Sequence, residues 1–150
     1  MDFELKRFRR ERFAEYASWF VDPELDRHLG PIDNAWLEAV LTEPESEGVT
    51  WAVFRREEMV AVVETVFDPE MRLPAAITAV ATKPSLRRQG IGAAALQQIL
   101  ALHKDKGIVE HVGYIAMDNL AGQRCAEKAG FVAITSEPDK PGYIQFYHRQ

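Results

Sequence analysis

The chain has 150 residues, enough to bury a core without metal or disulfide support, and no repeat, linker or low-complexity tract divides it, so one domain over 1–150 is expected. A formal net charge of −5 argues against holding nucleic acid by charge and is compatible with a cationic small substrate. No run reaches the length of a membrane span, Cys125 is the only cysteine and so excludes an internal disulfide, and the charged start MDFELKRFRRERF lacks a signal-peptide apolar stretch; the expected location is a reducing cytoplasm.

In chain order, FELKRF (3–8) reads as a first strand. RRERFAEYASWF (9–20) sets Phe13, Tyr16, Ala17 and Phe20 at helical spacing, with Asp22-Pro23 read as its end. DPELDRHLGPID (22–33) reads as a loop, and NAWLEAVLTE (34–43) as a second helix capped by Asp33 or Asn34. The period then changes to two. VTWAVFR (49–55) and EMVAVVETVF (58–67) are strands joined through Arg55-Arg56-Glu57, and AAITAVAT (75–82) is a third after the turn DPEMRLP. A helix runs from Ile91 to Lys106, with Gly107 just past its end. EHVGYIAM (110–117) is a strand, LAGQRCAEKA (120–129) a helix ended by Gly130, and FVAITS (131–136) and GYIQFYHR (142–149) are strands around the turn EPDKPG. The order β-α-α-β-β-β-α-β-α-β-β predicts an α/β fold on a mixed sheet, antiparallel in the middle and parallel across the helical crossover.

The segment from Thr82 to Gly92 raises a question of chemistry. A strand runs through Lys83-Pro84 and SLRRQGIG into a helix, so unpaired N–H groups and the positive end of the helix dipole face outward. Gly90 and Gly92 would let the backbone approach a diphosphate, with Lys83, Arg87 and Arg88 adding charge. The absence of Gly-Lys-Ser/Thr and of G-x-G-x-x-G excludes the P-loop and the dinucleotide fingerprint. A second reading stays open at this point: glycine for close packing of helix on sheet, with solvated arginines.

ATKPSLRRQGIGAAALQQIL resembles motif A of the GNAT superfamily of acyl-CoA-dependent N-acyltransferases, whose Gln/Arg-x-x-Gly-x-Gly/Ala signature is met by Arg87, Gly90 and Gly92. DNLAGQRCAEKAGFVAI is similar to motif B through Asn119, Glu127, Lys128, Gly130 and Phe131. The resemblance implies a twisted mixed sheet of six to seven strands, flanked by about four helices and splayed at the cofactor. It also implies acetyl-CoA as cosubstrate. Its diphosphate would lie on Arg87, Arg88, Gln89, Gly90, Gly92 and Ala93, and its arm along the main chain of Val80 and Thr82 beside a β-bulge. Asn119 would touch that arm or cap the next helix. The Val80 N–H would stabilise the oxyanion.

The implied reaction is direct acetyl transfer to a primary amine in a ternary complex. The acceptor could be a small molecule, an aminoglycoside-like polyamine or a protein N-terminus; no nucleic acid or membrane is expected. The family's habit of pairing through sheet edges or C-terminal strands admits a homodimer. A CoA-binding sensor or partner module with little catalysis is the alternative.

Glu64 is the candidate base, a carboxylate in a strand apolar on both faces, where burial would raise its pKa; pairing with an arginine or a wet position are its structural readings. Asp118 is a second candidate. The strand before motif A, the family's usual place for the base, has no carboxylate. The tyrosine that often serves as general acid is replaced by Ala126, which leaves Tyr143, Tyr147 or water. Cys125 reads as a structural helix residue. The resemblance assigns the acceptor side to Trp19, Phe20, Arg27, His28, Trp36 and Tyr143 through Tyr147.

Overall fold

The computed structural model describes residues 2–134 and 141–150. Chain order is β1 (Glu4–Arg7), a 3-10 turn (Arg10–Arg12), α1 (Phe13–Trp19), α2 (Pro23–Leu29), α3 (Asn34–Thr42), β2 (Gly48–Arg55), β3 (Glu58–Val66) and β4 (Ala75–Thr82). A second 3-10 turn (Pro84–Leu86) leads to α4 (Ile91–Asp105), then β5 (Glu110–Ala116), α5 (Leu120–Lys128), β6 (Val132–Ala133) and β7 (Tyr143–Arg149). The strands form one seven-stranded sheet ordered β1-β2-β3-β4-β5-β7-β6. All neighbours are antiparallel except β4 and β5, which the α4 crossover makes parallel.

Two apolar clusters cover the sheet. One joins Val53, Val63 and Ile77 to Ile91, Ala95, Leu96 and Ile99 of α4 and to Ala126 and Phe131. The other joins Val62 and Ala81 to Tyr16, Trp19, Leu25 and Leu37 of the first three helices. Both stripes follow from helical spacing, and the alternation of β2 to β4 supplies each face.

Four expectations are corrected. Residues 22–33 contain a helix: Asp22 accepts the Leu25 N–H at 3.1 Å and Pro23 is the first helical residue, so Asp-Pro opens α2 here instead of closing α1. Among the described residues the flanking helices therefore number five. The first helix is shorter than 9–20, with a 3-10 turn before it. In β3 the pairing shifts by one between Ala61 and Met59, so Val60 packs on the α4 face and not beside Val62. The strand expected over 131–136 is Val132–Ala133; Thr135, Ser136 and most of EPDKPG lie outside the described residues.

Candidate functional site

The site begins where the sheet opens. β4 and β5 pair only at Ala75–His111 and Ala76–Val112. The pairing of β3 with β4 shifts between Glu64–Ala79 and Thr65–Ile77, which leaves Thr78 as an extra residue. Ile77 still approaches β5, since a Cβ on Gly113 would lie 3.3 Å from its carbonyl oxygen. Beyond it the strands separate, as the resemblance implied.

Alternation tells which main-chain groups face the opening. The Lys83 N–H donates to the Val60 carbonyl at 2.9 Å, so Lys83, Ala81 and Ala79 bond toward β3. Val80 and Thr82 are the intervening residues, and their N–H and C=O groups point to the β5 side. A cavity of about 230 Å³ fills this space, lined by Ile77 to Val80, Gly113 to Ala116, Asn119, Cys125, Ala126, Tyr143 and, from α2, His28 and Leu29.

The floor of the opening leads to α4. Gly90 is its N-cap with φ 75°, a left-handed conformation that favours glycine, and Arg88 is also left-handed. The first intrahelical bond runs from Ala94 N to Gly90 O at 3.0 Å, so the amides of Ile91, Gly92 and Ala93 have no helical acceptor. Gly92 answers to packing: a Cβ there would meet Thr82 Oγ1 at 3.0 Å and Cys125 Sγ at 3.1 Å. Gly92 thus follows the packing reading, whereas Gly90 answers to its left-handed backbone. Arg87 places its guanidinium on Asp22, with bonds of 2.9 and 2.8 Å, and this pairing holds the Asp22 carboxyl below the usual range. Its side chain is thereby tied to α2, while Arg88 and Gln89 are exposed beside it.

On the opposite jaw, Asn119 caps α5 by accepting the Gly122 N–H at 3.0 Å, and it lines the cavity as well. Asp118 is engaged by Arg27 across from α2, and this contact holds its carboxyl low. That makes it a poor base at neutral pH.

Glu64 does not line the cavity. It sits on the helix side of β3, where its Oε1 accepts the Trp36 indole N–H at 3.3 Å, and burial pushes its carboxyl up. Its partner is an indole, not an arginine. Tyr16, Trp19 and Phe20 belong to the core beneath the same helices. Ala126, at the usual tyrosine position, is buried in the cavity wall. Tyr143 reaches the cavity; Tyr147 does not, and its hydroxyl donates to Glu110 at 2.8 Å. Burial pushes the Cys125 thiol up to about 11, so it is not a thiolate. The resemblance assigned His28 to the acceptor side, but reading 22–33 as a loop missed the α2 wall that carries it. The Asp22-Pro23 pair was the signal available.

A sheet opened between parallel strands, with free main-chain groups leading to a helix N-terminus, is an architecture for binding an extended acyl carrier that ends in phosphates. Residues 5–131 match the acetyltransferase (GNAT) family, and the chain belongs to that family. Family membership makes it an N-acetyltransferase. No curated protein matches the sequence.

Solved structures share the fold. The acetyltransferase that modifies the N-terminal serine of ribosomal protein L7/L12 from Salmonella typhimurium has a TM-score of 0.82 at 16% identity, covering 99% of this chain and 95% of that one. The PaiA N-acetyltransferase from Thermoplasma acidophilum, in complex with coenzyme A, has 0.72 at 16%, covering 100% of both. Aminoglycoside acetyltransferase AAC(6')-Ib with coenzyme A has 0.76 at 15%, covering 99% and 95%.

Proposed function

We propose that the protein transfers an acetyl group from acetyl-CoA directly to a primary amine held between α2, the β5–α5 loop and β7. The observation that carries this reading is the opening of β4 from β5, with the Val80 and Thr82 main chain turned into it. The cosubstrate fits this surface on two counts: an extended arm can pair with Val80 and Thr82 as an added strand would, and a diphosphate meets the amides of Ile91, Gly92 and Ala93. Arg88, Gln89 and Gly90 border that cradle, Arg87 reaches it by exchanging Asp22 for phosphate, and Asn119 flanks the arm.

Bound in this way, the thioester carbonyl lies near the Val80 N–H, which donates to the oxygen as negative charge develops. The amine nitrogen forms a bond to the acyl carbon, and the C–S bond then breaks. One proton leaves the amine and one joins the sulfur. Tyr143 is the hydroxyl on β7 that lines the cavity with Ala126, and it supplies the sulfur's proton before recovering one from solvent. Glu64, which burial keeps basic, lies one strand away from the cavity wall with its carboxylate held by the Trp36 indole.

The relatives act on an aminoglycoside and on a protein N-terminal serine, by their descriptions, which supports testing both amine types. Thiol release from acetyl-CoA should depend on added amine in a panel of kanamycin, spermidine and a seryl peptide. Gly90→Val should raise the CoA Kd at least about tenfold by straining a left-handed residue. Binding of CoA without turnover on any amine would overturn the transferase reading.

A further inference from the structure

Resting on the acetyltransferase reading, we propose that His28 is the base that takes the acceptor amine's proton, with Glu24 as its positioning residue. Among the described residues, the ionisable side chains lining the cavity are His28, Tyr114, Cys125 and Tyr143. Burial pushes the Cys125 thiol up, so it keeps its proton, and a tyrosine hydroxyl suits a proton donor and not this base. The imidazole of His28 can accept a proton, because a neutral ring always carries a lone pair on one of its two nitrogens. Glu64, the carboxylate that sequence favours, is turned to Trp36 behind β3.

The surroundings of His28 suit a base. Its side chain is only 11% exposed, and Nε2 is buried without a hydrogen-bond partner. The nearest charge is Glu24 Oε2 at 3.6 Å, one helical turn earlier. A proton on Nε2 faces that carboxylate, which leaves Nδ1 as the ring's lone-pair nitrogen. Charged and titratable groups around the ring come from three elements. Glu24 and Arg27 belong to α2, Asp118 follows β5, and Tyr143 stands on β7. Arg27 bridges Glu24 and Asp118, so both carboxylates are held beside His28.

The step balances simply. An N–H proton of the attacking amine passes to the imidazole lone pair as the C–N bond completes, and the imidazolium rests against Glu24 until solvent takes the proton. Sulfur receives its own proton separately.

The test uses the full chain, acetyl-CoA and whichever panel amine turns over best. His28→Gln should lower kcat/KM by about a hundredfold. It should remove the acid limb of the kcat/KM–pH profile, yet leave the CoA Kd, measured by calorimetry, unchanged. Glu24→Gln lies on an exposed flank, its side chain 65% accessible, and should move the acid limb to lower pH because the imidazolium loses its counter-charge. Glu64→Gln should keep the limb. The idea is overturned if His28→Gln keeps both rate and limb, if Glu24→Gln leaves the limb in place, or if Glu64→Gln abolishes it. A wild-type chain that binds CoA but acetylates no amine removes the transferase reading and this inference together.

Discussion

At position 92 the neighbour that matters is a sulfur atom. Alanine near a helix start would ordinarily gain up to about 1 kcal/mol over glycine. Here its Cβ would stop 3.1 Å from Cys125 Sγ and 3.0 Å from Thr82 Oγ1, tighter than packed atoms accept. Gly92→Ala should therefore destabilise by about 1 kcal/mol, as overpacking does. In a Cys125→Ala background the loss should shrink by at least about 0.5 kcal/mol, since the two sites touch. Urea midpoints of the four proteins give the cycle. The pair of glycines was legible in sequence as a pair, but the division of labour was not. Gly90 serves the backbone by its positive φ, while Gly92 serves a contact with residues 10 and 33 positions away that only the assembled fold brings near.

At the scale of the element, α2 is tied to both jaws of the opening. Asp22 at its start holds Arg87 of the loop before α4, and Arg27 in its last turn holds Asp118 after β5. Arg87 cannot grip Asp22 and a phosphate with the same guanidinium. Asp22→Asn keeps an N-cap oxygen but removes the charge, and it should tighten CoA binding severalfold by freeing Arg87. Calorimetric titration checks this; an unchanged Kd would mean that Arg87 does not meet the diphosphate. Element existence was well marked in the sequence by period and turn residues, as α4 from Ile91 and the β2–β3 hairpin at Arg56-Glu57 illustrate. α2 was obscured because an Asp-Pro pair can both follow one helix and open the next. Its ionic ties were beyond reach, since Asp22 and Arg87 are 65 residues apart and nothing local pairs them.

For the whole molecule, folding carries a pH dependence of its own, seated away from the cavity. His103 of α4 and His111 of β5 stack at 5.0 Å between centroids and share a 2.7 Å hydrogen bond, and both are buried. Burial pushes each ring down to about 4, and it lowers His148 beside them as well. The unfolded chain therefore binds more protons than the native one between about 6.5 and 4. Stability is fully present above this window and falls as pH drops through it. Urea unfolding at pH 7.5, 6 and 5 should show this loss, and His103→Leu with His111→Leu should flatten it, because removing both partners leaves neither half of the pair buried and unpaired. A slope unchanged by the double substitution would place the acid sensitivity elsewhere. The mixed sheet was legible from the order of elements, whereas the meeting of three histidines was not, since they lie on three separate elements.

The extra residue in β4 has a consequence for how this strand tolerates change. Ile77 lies on the α4 face before Thr78 and Val80 lies on that face after it, so odd positions pack there in one half and even positions in the other. A scan of substitutions along 75–82 should show its rhythm slip by one at Thr78, and deleting that single threonine would restore one unbroken alternation in which each flanking half keeps its present face.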